Sequence, residues 1–236
     1  MKSGAERLAV FKKAMALCRG YGPNDAIELE RLLCEEPWLG KWTEERLAFG
    51  GPLLGYAVFL GSVEAAEALL PHSDPNEGDS QGDTPLLLAC AGSDDASARL
   101  VELLGPKGDW NAVNIFGESA WTRLASNGYP RLMRPMAAMR GLDVASARFG
   151  EQQVSLLSIA VRRSDENGPA MALEIAKMAP SLMEEFFGEQ AGLSKRWADP
   201  ACLQALADYA RSLAEEAEIG QASKKAGKRH GVARRL

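Results

Sequence analysis

Apolar residues along most of the chain recur at the three- and four-residue spacing of amphipathic helices, in short runs separated by turns containing Gly, Asp or Asn. The clearest runs come in pairs within residues 52–70, 84–104, 119–133 and 155–176. Equivalent first-helix positions fall at Ala57, Ala89, Leu124 and Ala160, at intervals of 32, 35 and 36 residues. Neither helix of such a pair can bury its apolar face alone, so the pattern predicts a stack of two-helix units sharing one elongated core.

Turn and capping signals support the same division into units. Gly82 and Gly117 stand where a tight turn needs a positive φ. Thr84 can cap the following helix with Pro85 at its first position, and Ser119 can cap the next equivalent helix. Leu86 and Trp121 occupy equivalent apolar positions, and we expect both in the core.

The order of these signals resembles the ankyrin repeat. Asp79 begins a D-x-x-G turn, residues 84–86 read T-P-L, residues 99–104 form an apolar second helix, and residues 108–111 form the exit turn. Leu87 stands where the family usually has His. The resemblance covers roughly residues 20 to 180. It implies an all-α ankyrin repeat solenoid of stacked helix-turn-helix units with turn or β-hairpin fingers.

The repeat register predicts four regions. Residues 1–47 form an N-terminal helical cap or degenerate repeat, and residues 48–197 contain the ankyrin repeats. Asp199 and Pro200 open a capping helix over residues 198–220, because a polar N-cap followed by Pro is a helix start. Its apolar face is predicted to consist of Leu203, Leu206, Ala207, Ala210, Leu213 and Ala217. Residues 221–236 are predicted to be a disordered basic tail.

Charge is divided unevenly along the chain. The net charge is −5, yet the last fifteen residues carry six basic side chains and no acidic one, which leaves −11 for residues 1–221. The tail could contact nucleic acid or a membrane surface, act as a docking or targeting peptide, or simply aid solubility. Six charges without interleaved aromatic residues give only weak, salt-sensitive attraction to nucleic acid, and the acidic body opposes it.

Residue types that support catalysis are scarce. The chain has four cysteines without C-x-x-C spacing and only two histidines, which argues against a zinc site and against a disulfide framework. His72 and His230 are expected to be solvated, and the cysteines to be small core residues. There is no phosphate-binding G-x-x-x-x-G-K-[ST] loop. We therefore predict a protein that is not an enzyme, with no cofactor and no metal site.

Ankyrin repeat proteins bind other proteins through their finger turns and the exposed positions of their first helices. In the finger around Asn114 the resemblance places an apolar cluster where polar residues would be expected: Trp110, Val113, Ile115 and Phe116. Exposed apolar clusters often mark interfaces. The alternative is that these residues pack on the neighbouring finger or on the loops inserted around residues 93–97 and 164–170.

The other predicted contact residues divide by charge. Glu77, Asp79 and Asp83 would form an acidic lip, or else ordinary solubilising charge. The first helices would expose Tyr56, Phe59, Arg123, Asn127, Arg162 and Arg163. Arg162 and Arg163 opposite an acidic finger would orient a partner, whereas a solvated helix end is the alternative.

We expect a monomeric, non-enzymatic protein-binding module that holds a protein partner on the concave face of the solenoid, as an adaptor, an inhibitor, or an immunity- or effector-like protein. The alternative is a nucleic-acid-associated regulator that uses the basic tail. The start of the chain lacks a secretory signal and no run is long enough to span a bilayer, so a cytoplasmic location is expected. The alternative to a cytoplasmic location is a secreted effector that acts in a host cell.

Overall fold

The computed structural model describes residues 2–20, 22, 24–41, 50–188 and 196–232, with side chains described up to residue 219. Within these ranges the chain is helical and has no β-strand beyond isolated bridges. The helices are α1 (Gly4–Cys18), α2 (Asp25–Glu35), a 3₁₀ helix (Pro37–Lys41), α3 (Leu53–Phe59), α4 (Val63–Leu69), α5 (Pro85–Ala89), α6 (Asp95–Leu104), α7 (Ala120–Asn127), α8 (Pro130–Arg140), α9 (Leu156–Ala160), α10 (Gly168–Met178), α11 (Ser181–Phe187) and α12 (Pro200–Val232). The predicted all-α class is confirmed; the predicted boundary at residues 47/48 lies outside the described residues.

The helices form two layers in chain order. In one layer α1, α3, α5, α7 and α9 contact one another in succession, and in the other α2, α4, α6, α8 and α10 do the same. Each helix of the first layer also contacts the next helix in the chain, which belongs to the second layer. α11 packs against α9 and α10, and α12 packs against α10. The core lies between the layers, because each short helix buries its apolar side against its pair partner and its neighbours.

Local sequence signals explain where the first-layer helices begin. The Thr84 hydroxyl accepts the Leu87 N–H at 3.3 Å, and Pro85 opens α5, as predicted. Ser119 forms a capping box with Thr122 at the start of α7. The Ser155 hydroxyl caps α9 by accepting the Ser158 N–H at 3.2 Å. These three capping residues determine where α5, α7 and α9 begin after the turns that precede them.

Most of the predicted core is confirmed. Leu86 and Trp121 are fully buried. Cys18, Cys90 and Cys202 are buried, and burial raises the pKa of the Cys18 thiol to about 12 and that of Cys202 to about 11. The prediction that all four cysteines lie in the core is wrong for Cys34, which is exposed on α2.

α12 differs from the prediction in two ways. It continues to Val232, beyond the predicted end of the capping helix at residue 220, and residues 233–236 lie outside the described residues. Ala, Lys and Arg are good helix formers and extend a helix that is already nucleated upstream.

The predicted apolar face of α12 is only half right. Leu206 is buried, Leu203 and Ala207 are partly buried, and Cys202 also faces the core. Ala210, Leu213 and Ala217 are exposed. None of the helices described is long and apolar enough to cross a membrane.

Candidate functional site

Two tight turns, which lead into α5 and α7, carry four of the predicted contact residues: Asp79, Asp83, Ile115 and Phe116. We call residues 79–83 the first finger turn and residues 114–118 the second. In the first, the Gly82 N–H donates to the Asp79 carbonyl at 2.9 Å, and Gly82 has φ +78°. The Asp79 carboxylate accepts the N–H groups of Gln81 and Asp83 at 2.8 and 3.0 Å. Asp79 therefore stabilises its own turn.

The second finger turn repeats this geometry with Asn in place of Asp. The Asn114 side-chain oxygen accepts the N–H groups of Phe116 and Glu118, both at 2.9 Å. Gly117 has φ +74°, as the turn requires. A bridge between Val113 and Ser119 closes the hairpin just before α7. The predicted glycine conformations are confirmed at both turns.

Hydrogen bonds join the two finger turns directly. The Ile115 N–H donates to the Gln81 carbonyl at 2.9 Å. The Asn114 side-chain amide donates to the buried Asp83 carboxylate at 2.7 Å. Both bonds use backbone or polar side-chain groups. The apolar side chains of the second finger turn therefore take no part in these hydrogen bonds between the two turns.

Those apolar side chains are exposed. Val113, Ile115 and Phe116 have 61%, 71% and 65% of their surfaces accessible. The alternative that they pack on the neighbouring finger turn is therefore wrong. Ile115 and Phe116 lie in the second finger turn and Val113 lies just before it, and the backbone that carries them is held by hydrogen bonds within the turn and to the first finger turn. We call these three residues the finger cluster.

Trp110 does not belong to this cluster, and the prediction that it does is wrong. It is 1% exposed. Its ring lies 4.1 Å from that of Trp121, and its Nε1–H donates to the Gly105 carbonyl at 3.0 Å. An indole that packs on a core Trp and satisfies its own N–H gains more by burial than by exposure.

The predicted acidic lip is also reduced. Asp83 is buried, where it accepts the Asn114 bond and lies 3.7 Å from the Arg123 guanidinium. Glu77 is partly exposed, and burial together with the neighbouring Asp74 carboxylate raises its pKa. Two of the three acidic residues, Asp79 and Asp83, thus serve the turns.

On the first-layer helices the exposed positions are partly as predicted. Phe59 is 65% exposed at the end of α3, Tyr56 is partly buried, and Asn127 is exposed at the end of α7. Arg123 is mostly buried and donates to the Glu118 carboxylate at 2.5 Å. That hydrogen bond lowers the pKa of Glu118.

The two neighbouring arginines after α9 have opposite environments. Arg162 is exposed, as predicted. The prediction that Arg163 is exposed is wrong, because its guanidinium is buried and donates to the Gly128 and Asn127 carbonyls at 2.6 and 3.0 Å. Asp165 balances the charge and has a lowered pKa as a result.

A shallow cleft of about 370 Å³ lies between the ends of α7 and α9, with Asn127, Ile159 and Arg162 among its lining residues. Arg162 is its exposed cation, since Arg163 points into the protein. The cleft lies at the C-terminal ends of α7 and α9, and the finger cluster lies in the segment that leads into α7.

Metal-ligating side chains do not converge in the described part of the chain: no group of three or more His, Cys, Asp or Glu could hold an ion there. His72 is partly buried, and the His230 side chain lies outside the described side chains. What the finger cluster offers is exposed apolar contact area on a backbone held by hydrogen bonds.

Sequence reasoning missed the part played by Asn114. The repeat pattern marks it only as the place of the second finger turn, whereas its side chain holds that turn together and links it to the first. A signal for this role exists in the sequence, because Asn114 and Gly117 repeat the spacing of Asp79 and Gly82. No protein-family model matches the chain, and a search of curated proteins likewise finds no match.

Proposed function

We propose that the chain is an ankyrin repeat solenoid that acts as a non-enzymatic protein-binding module. The two-layer order of the helices, the paired finger turns and the Thr84–Pro85 helix start support this assignment. A chain of stacked two-helix units gives an extended face suited to holding a partner.

The observation that carries the proposal is the exposure of Val113, Ile115 and Phe116 on a backbone held by hydrogen bonds. Exposed apolar side chains in a solvated turn lower solubility and do not stabilise the fold. Held rigidly, they lose little conformational entropy when a partner covers them, which favours affinity. Phe116 is the aromatic anchor of the cluster, the residue type enriched at the centres of interfaces.

The contact surface extends from the finger cluster to exposed or partly exposed groups on the first helix layer, namely Tyr56, Phe59, Asn127 and Arg162. Trp110 and Arg163 are not part of it, because they are buried. Arg123 lies on α7 beside this surface, but its guanidinium is paired with the Glu118 carboxylate. The partner is held by surface complementarity, a mechanism that adaptors, inhibitors and immunity- or effector-like proteins share.

The test compares two doubly substituted chains as baits in affinity capture from the source cells at moderate salt. One carries Ile115→Asp and Phe116→Asp in the finger cluster. The matched control carries Ile27→Asp and Met139→Asp, two apolar residues of the second helix layer that are 67% and 44% exposed. Both variants should fold with wild-type stability, since the substituted side chains lie in solvent.

We expect the control to retain the same protein partner as the wild type and the finger variant to lose it. The purified partner should then bind the finger variant at least a hundredfold more weakly in calorimetry. Equal capture by both variants, or loss by both, would show that the finger cluster is not the binding site.

A further inference from the structure

Arg162 is the exposed cation of the cleft between α7 and α9, and its guanidinium has no partner among the described residues. Each of the other arginines whose side chains the structure describes makes a hydrogen bond, an ion pair or a contact with an aromatic ring. A guanidinium carries its N–H donors in a planar fork that matches a carboxylate. Arg162 leaves these donors unused beside a cleft of about 370 Å³.

The residues that line the cleft leave the charge of Arg162 uncompensated. Asp165 also lines the cleft, but it is paired with the buried Arg163. Arg163 in turn occupies the Asn127 and Gly128 carbonyls at the end of α7, whose partial negative charge would otherwise repel an anion. The remaining lining residues are uncharged, namely Ser126, Asn127, Ile159 and Ser164. The cleft therefore favours a single negative group.

The finger cluster and the cleft are joined along one face of α7. Glu118 of the second finger turn pairs with Arg123, and the Ser126 hydroxyl, three residues further along the helix, donates to the Arg123 carbonyl at 3.2 Å. Ser126 in turn lines the cleft. The 8 residues of α7 span about 12 Å at the rise of an α-helix. An extended peptide covers that distance with about four residues.

We propose that the partner held by the finger cluster carries an Asp or Glu whose carboxylate pairs with Arg162 in the cleft. This inference rests on the proposed function and specifies the chemistry of the partner. The partner presents an extended segment with an apolar residue on the finger cluster and an acidic residue about four positions away.

Charge also determines which end of that segment meets the cleft. Glu77 and Asp79 at the first finger turn repel an acidic residue there, whereas Arg162 attracts one at the far end of α7. A nucleic acid fits this face less well, since a single unpaired cation does not balance a run of phosphates.

The test is a selection of random linear peptides displayed on phage, with the full chain as bait. Three baits run in parallel: the wild type, Arg162→Glu, and the chain with Ile115→Asp and Phe116→Asp. Enriched peptides are then synthesised, and fluorescence anisotropy measures their dissociation constants with these chains, with Arg162→Gln and with Arg31→Gln. Arg31 is the matched control, because its side chain is 80% exposed on α2 in the second helix layer. Circular dichroism should show wild-type folding for every variant, since the substituted side chains are exposed.

We expect the peptides enriched by the wild type to share an Asp or Glu about four residues from an aromatic or aliphatic residue. Those enriched by Arg162→Glu should carry Lys or Arg at that position instead. Arg162→Gln should bind the wild-type peptides at least about tenfold more weakly, with a smaller dependence on salt, and Arg31→Gln should bind them as the wild type does.

The outcomes separate this inference from the proposed function. Peptides that need the finger cluster but have no acidic preference, or that bind Arg162→Gln as tightly as the wild type, overturn the acidic partner and leave the binding site in place. Peptides that bind the finger variant unchanged overturn the finger cluster as the site. A wild-type chain that enriches no peptide overturns the extended partner segment.

Discussion

The Asn114 side chain donates to the Asp83 carboxylate across 31 residues of sequence, at 2.7 Å, and this bond ties two finger turns together. Asn114 also accepts two N–H groups within its own turn. One side chain thus both shapes the turn that carries the finger cluster and fixes it to its neighbour. The rigidity that makes the cluster a good contact surface depends on this residue.

Asn114→Ala should lower the free energy of unfolding by about 2 to 3 kcal/mol, because it leaves Asp83 and two turn N–H groups without their partner. Urea unfolding followed by circular dichroism measures the loss. Asn111→Ala, at an exposed residue just before the turn, should change stability by less than about 0.5 kcal/mol. Equal effects of the two substitutions would contradict the linking role of Asn114.

The contrast between capping residues and Arg163 shows what a single sequence can predict here. Thr84, Ser119 and the two turn glycines act on groups within a few residues, so their roles follow from local patterns. The burial of Arg163 depends on the Gly128 carbonyl, 35 residues away, and that of Trp110 on the approach of Trp121. Such contacts depend on how neighbouring units pack, which local spacing does not specify.

Arg163→Met should cost about 3 kcal/mol, since it leaves the buried Gly128 carbonyl without its donor. Arg162→Met, the same change at the exposed neighbour, should cost less than about 0.5 kcal/mol. The two free energies of unfolding, measured side by side in urea, separate the buried arginine from the solvated one. Similar losses would mean that the guanidinium of Arg163 does not bridge α7 and α9.

Trp110→Phe should destabilise the fold by about 2 kcal/mol, because it removes the hydrogen bond to the Gly105 carbonyl and part of the contact with Trp121. The near-ultraviolet circular dichroism of the paired indoles should decrease with it. Trp197→Phe is the matched control, since Trp197 is 64% exposed, and it should leave both the stability and the paired-indole signal unchanged. If the spectrum changes more in the control, the two indoles are not paired.

The Arg123–Glu118 pair predicts a pH dependence. Hydrogen bonding to Arg123 lowers the pKa of Glu118 from its ordinary 4.5, so the stabilisation is complete above that pH and is lost as the pH falls through the folded-state pKa. Glu118→Gln should therefore flatten the fall in stability between about pH 5 and pH 3. The effect at neutral pH should stay below about 1 kcal/mol, because the Glu118 side chain is 40% exposed and solvent screens it.

Arg123→Met provides the control for this pH effect. In that background Glu118→Gln should alter the slope of stability against pH much less, because only the hydrogen bond from Asn114 still lowers the Glu118 pKa. An unchanged effect would assign the acid sensitivity to another partner of Glu118.

The two turn glycines should differ in their tolerance of a side chain. Gly117 has φ +74° and open space where a Cβ would stand, whereas a Cβ on Gly82, at φ +78°, would lie 3.3 Å from the Asn114 Cα. Gly117→Ala should lower the free energy of unfolding by about 1 kcal/mol, the strain of a left-handed backbone alone. Gly82→Ala should lower it by about 2 kcal/mol, because the two finger turns must also move apart to make room for the Cβ. Gly117→Asn should recover part of its loss, since Asn tolerates this conformation. Urea unfolding ranks the three variants, and a Gly117→Ala cost equal to that of Gly82→Ala would show that the two finger turns move apart without cost.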